Sequence, residues 1–291
     1  MEPSNQEITA TQKSFEEVLN RNGFGFQFSV LAECKEVSTT WESRWRFLAS
    51  EIPVEVRNVG TKIDFALEHT VNASGFSDVM ICECKRVNPA FARWCFIPAP
   101  YTRRNSIIEV KRFESLSMKN NGLSVHTLEG GAERQGQILH LGLPVRVPNV
   151  KGDSSPVGNN RNDIEDAITQ VLRGLNGYIN LLAGNRGLIG NKTFTFYPTV
   201  FTTAELWVSN ADLSKADLQT GNINLTKGDF QEVTWLWFQY NTSPGIKHSL
   251  SFYNWEKLED VMENEFVRTV AIVNSSGIRD FLRVTTEEYL R

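Results

Sequence analysis

The stretch Thr61–Lys85, TKIDFALEHTVNASGFSDVMICECK, decides how the rest of the chain is read. Two apolar runs, Ile63–Leu67 and Val79–Cys84, flank a polar, turn-like segment, and each reads as a buried strand. Asp64 interrupts the first run, and Glu83-Cys84-Lys85 closes the second. Side chains alternate along a strand, so Glu83 and Lys85 share one face while Cys82 and Cys84 share the other. If the two runs pair as an antiparallel hairpin, Asp64 lies beside Glu83. Two carboxylates and one ammonium then converge on one side of a small sheet. Burying such charges is costly unless they are paired or hold a metal ion. The plainer alternative is a surface hairpin carrying a solvated Glu–Lys pair.

Upstream, residues 9–21 read as a helix with Phe15, Val18 and Leu19 as its apolar stripe, closed by Asn22-Gly23. Residues 24–33, FGFQFSVLAE, read as extended or mixed. Glu33-Cys34-Lys35 repeats the E-x-K pattern, but no aspartate precedes it and polar residues follow, so it reads as a decoy. The aromatic and basic run Trp41–Phe47 reads as packing a helix onto the sheet. Strands are expected near 52–58, 61–68 and 78–85, with Val59-Gly60 as the first turn. The opening order is therefore α-β-β-β.

This opening, with Asp64, an interval of nineteen positions and then Glu83-x-Lys85, resembles the active-site pattern of the PD-(D/E)XK nuclease superfamily. The resemblance implies an α/β, restriction-endonuclease-like fold: a mixed sheet flanked by helices. It implies a metal-dependent nuclease, a DNA endonuclease of prokaryotic or phage-related defence or of DNA processing. Its cofactor would be Mg²⁺, with Mn²⁺ able to substitute. Asp64, Glu83 and the main-chain carbonyl of Cys84 would be metal ligands, and Lys85 would complete the catalytic set. Accessory positions by the same resemblance are Glu17 on the first helix and Gln170 on a later one; Glu51 and Glu55 are candidates for a further ligand. By the same resemblance the partner would be nucleic acid, DNA by family habit, with a homodimer or a defence-system protein as further partners. The alternative is a nuclease-like fold with a silent site, acting as a nucleic-acid-binding or interaction module.

Downstream, Arg86, Arg93, Arg103 and Arg104 form the most basic local stretch, interleaved with Phe91, Trp94, Phe96 and Tyr101. Cations and stacking rings there would suit a nucleic-acid backbone. A packed aromatic loop with solvated arginines is the alternative. Strand-like pieces appear at 106–113 and 123–128, and residues 86–162 read as an insertion. The clearest helix is 163–184, where Ile164, Ala167, Ile168, Val171, Leu172, Leu175 and Ile179 recur at helical spacing. Strands are expected at 193–201 and 204–208, and Pro198 marks an edge, an end or a bulge. Residues 1–85 and 163–209 thus form the expected core. Residues 210–291 form a strand-rich extension packed on it, with strands at 233–240 and 267–274 and a closing helical segment.

Composition sets outer bounds. The chain has 291 residues, 41% of them hydrophobic, enough for one large core. Its net charge of −4 does not announce a nucleic-acid binder, though local basic patches do that work. No apolar run reaches the ~18 residues of a membrane span, and the polar N-terminus lacks a signal-peptide core. A cytoplasmic protein is expected. The four cysteines read as buried free thiols rather than as disulfides or a zinc site. No P-loop, H-E-x-x-H or G-x-S-x-G sequence is present.

Overall fold

Apolar stretches spaced along the whole chain meet in one mixed sheet. The computed structural model describes residues 12–19, 23–40, 43–71, 75–89, 92–98, 111–119, 122–130, 138–139, 142–147, 163–241 and 267–288. The helices are α1 (12–19), α2 (Phe24–Thr39), α3 (Asp163–Gly184), α4 (Arg186–Ile189) and α5 (Ile278–Glu288). The first strands are β1 (Arg46–Val56), β2 (Val59–Val71) and β3 (Phe76–Lys85). Next come β4 (Arg93–Pro98), β5 (Lys111–Lys119), β6 (Gly122–Gly130), β7 (Ile138–Leu139) and β8 (Gly142–Val147). The chain continues through β9 (Thr193–Thr202), β10 (Glu205–Ser209), β11 (Phe230–Val233), β12 (Trp235–Asn241) and β13 (Val267–Asn274).

The three expected strands follow one another as β1, β2 and β3, with β1–β2 and β2–β3 antiparallel, but two helices, α1 and α2, precede them rather than the single helix expected over 9–21. α2 corrects one expectation: Phe24–Thr39 is helical, not extended, and the Glu33-x-Lys35 decoy sits on it. The run expected to pack a helix onto the sheet enters β1 at Arg46, and its Trp45 is buried among residues of α2 and α5, with Nε1 donating to Thr285 Oγ1. The main sheet runs β1-β2-β3-β9-β13-β12-β7, with β5 and β6 joined to it through β9. β3 and β9 are parallel, as the strand–helix–strand order through α3 requires. The order β11-β10-β4-β8 forms a second sheet. β10, expected to extend the main sheet, belongs to this second sheet. The expected insertion and extension segments both contribute to the main sheet: β5, β6 and β7 come from the former, β12 and β13 from the latter.

β9 is shared. Its first half pairs with β5, its second half with β13, and its whole length with β3. Pro198 falls between the two half-ladders, where a missing N–H is tolerated. Buried Arg268 on β13 donates from Nε to Glu114 Oε1 on β5 at 2.7 Å, tying those two strands across the sheet.

Each face of the main sheet has its own core. On one face, Val54, Ile63, Ile81, Phe196 and Ile272 pack with α3 and with Trp94, Phe96 and Leu206 of the second sheet. On the other, Phe65, Met80, Cys82, Phe201 and Trp237 pack with Val30, Leu31 and Cys34 of α2 and Phe281 and Leu282 of α5. Gly177 lets α3 lie close to β1, since a Cβ there would stand 2.7 Å from Val54. No helix among the described residues is long and apolar enough to cross a membrane.

Candidate functional site

The strand alternation expected for β3 holds. Val79 and Ile81 belong to the core on the α3 face, while Met80, Cys82 and Cys84 pack with the core beneath α2. Glu83 and Lys85 end the strand, both partly buried. The regular β2–β3 register ends at the pair Phe65–Cys82, one step short of Asp64. There the carboxylate of Asp64 takes the place of a main-chain partner: Oδ2 accepts the Cys84 N–H at 2.7 Å. Asp64 is thereby fastened to the peptide that joins Glu83 to Cys84.

The electrostatics follow from this crowding. Burial pushes the Asp64 carboxyl up to about 6; the Cys84 N–H opposes the rise, Glu51 adds to it and Lys85 opposes it. Burial, and then the neighbouring Asp64 charge, push Glu83 up to about 8, with Lys85 opposing and Glu51 adding. Three carboxyl groups and one ammonium therefore share a single electrostatic neighbourhood. The thiols of Cys82 and Cys84 are raised by the same burial and remain free.

Glu51, rather than Glu55, is the further carboxylate of this cluster. Glu55 is exposed and lines an open cleft with Pro53, Lys62 and Asn180. Glu51 has a φ of 51°, in the left-handed region uncommon for a residue other than glycine. Its Oε1 accepts from Gln27 Nε2 at 2.8 Å, and its Oε2 lies 3.4 Å from Lys62 Nζ. Gln27 escapes a sequence reading because it sits in a stretch with no amphipathic contrast. The only signal is a lone polar residue among phenylalanines.

The other expected positions are exposed or lie outside the described residues. Glu17 and Gln170 are exposed on α1 and α3. Arg86 is exposed one residue beyond Lys85. Arg93 is exposed but paired with Glu205 at 2.9 Å. Arg103 and Arg104 lie outside the described residues, as do Phe91 and Tyr101. Trp94 and Phe96 are fully buried core residues, so these two rings offer no stacking surface. The decoy is a packing element: Glu33 pairs with Arg279 of α5, and Lys35 lies over the Phe47 ring at 4.5 Å.

Among the described residues, no three His, Cys, Asp or Glu side chains are gathered tightly enough to enclose a metal ion. Mg²⁺ keeps several waters and uses only one or two carboxylates, unlike a structural zinc. No protein-family model, curated protein or solved structure matches the chain.

Proposed function

We propose that the chain is a Mg²⁺-dependent phosphodiester hydrolase, an endonuclease acting on DNA in defence or DNA processing. The observation that carries this reading is the fastening of Asp64 to the Glu83–Cys84 peptide, with Lys85 alongside. Buried like charges that crowd one ammonium are best relieved by a divalent cation. Asp64, Glu83 and the Cys84 carbonyl would hold it. Mg²⁺, or Mn²⁺ in its place, would supply charge neutralisation at the scissile phosphate and a more acidic water. Lys85 orients the attacking water and stabilises the charge that builds on the phosphoryl oxygens. Arg86 contributes a cation toward the nucleic-acid backbone. A homodimer or a defence-system partner is the assembly this reading implies.

The test is incubation of supercoiled plasmid with the purified protein and Mg²⁺ or Mn²⁺, with EDTA as control. Cleavage is expected in wild type and absent in Asp64→Ala, Glu83→Ala and Lys85→Ala, each still folded by circular dichroism. Wild-type cleavage by any of these variants refutes the assignment. DNA binding without cleavage supports the alternative, a binding module with a silent site.

A further inference from the structure

Gln27 is 6% exposed, and a buried amide is stable only when its hydrogens are bonded. Its Nε2 donates to Glu51 Oε1 at 2.8 Å and to the main-chain oxygen of Asp64 at 3.2 Å. An amide nitrogen carries two hydrogens, and these two acceptors use both. One atom of α2 thus touches both β1 and β2 at the step between the pairs Ser50–Phe65 and Ile52–Ile63. A left-handed glutamate inside a strand persists only when its surroundings hold it, and Gln27 provides that hold.

We propose that Gln27 is a positioning residue for the acidic site: its amide joins the Glu51 carboxylate to the Asp64 main chain and so sets the spacing of the carboxylates that receive a divalent cation. The role rests on the cation-site reading above. It differs from plain core packing in one respect, because it acts through Glu51.

Electron paramagnetic resonance titration of free Mn²⁺ against the full chain tests it. The proteins are wild type, Asp64→Asn, Gln27→Met, Glu51→Ala and the Gln27→Met/Glu51→Ala double variant, each checked for cooperative thermal unfolding. Losing a partner that orients a metal-binding group costs about 10-fold or more in affinity, so Gln27→Met should weaken Mn²⁺ binding about 10-fold. In the Glu51→Ala background the same substitution should cost about 2-fold or less, the signature of coupled residues. Gln27→Leu replaces Gln27→Met if the latter does not fold. Wild-type affinity in Gln27→Met, or an equal loss in both backgrounds, overturns the positioning role while leaving the cation site standing. Wild-type protein that binds no Mn²⁺, or binds it equally well as Asp64→Asn, overturns the cation site and the positioning role together.

Discussion

Replacing Glu83 by glutamine should stabilise the metal-free protein by an amount that grows as pH rises from about 5 and is full only above about 8. Glu83 has its carboxyl raised from 4.5 to about 8, first by burial and then by Asp64. A carboxyl raised in the folded state binds its proton more tightly folded than unfolded. Stability is therefore greatest below the unfolded value, near 4.5, and declines as pH rises to about 8. At about 1.4 kcal/mol per pH unit the ceiling on that decline is about 5 kcal/mol. Asp64 and Glu83 share one repulsion, and Lys85 offsets part of it, so about 1–3 kcal/mol is the expected gain from Glu83→Gln at about pH 9. At about pH 5 the wild-type carboxyl is already neutral in the folded state, and the substitution should change little. Urea unfolding of both proteins at the two pH values, without metal and with chelator, measures the difference. An equal offset at both pH values, or a loss at the alkaline one, would refute the buried, crowded carboxyl on which the site is built.

Two further outcomes follow from the same geometry. Mg²⁺ binding at neutral pH should release about one proton, because a ligand that still holds its proton must give it up; calorimetry in two buffers of different ionisation enthalpy reads this, and zero release contradicts it. Gly177→Ala should cost about 1–3 kcal/mol by the overpacking of α3 against Val54, seen as a lower urea midpoint at unchanged slope, and an unchanged midpoint would show that the helix can shift freely.

The β2–β3 hairpin was legible because its signals are local. Alternation alone places Glu83 with Lys85, and a short connection makes the strands antiparallel. α3 was legible down to its ends, Asp163 and Gly184, because one apolar stripe faces the sheet along its whole length. α2 was not, since Phe24 and Phe28 are exposed on its outer side while Val30 and Leu31 are buried, which erases the amphipathic contrast. The places of β12 and β13 in the main sheet depend on pairing with β9, a contact between distant segments that no local pattern encodes. Choosing Glu51 over Glu55 required the fold, which brings Glu51 into the electrostatic neighbourhood of Asp64 and Glu83. The burial of Trp94 and Phe96 follows from a second sheet whose parallel β4–β10 pairing joins residues more than a hundred positions apart.

The central claim is that Asp64 and Glu83 hold a divalent cation between β2 and β3. Its most direct measurement is an anomalous difference map from crystals soaked in Mn²⁺. The account predicts one peak within coordinating distance of both carboxylates, about 2.0–2.2 Å from oxygen as for a small hydrated ion, and its loss in Asp64→Asn. A fully soaked crystal with no peak there, or with a peak that touches neither carboxylate, would contradict it.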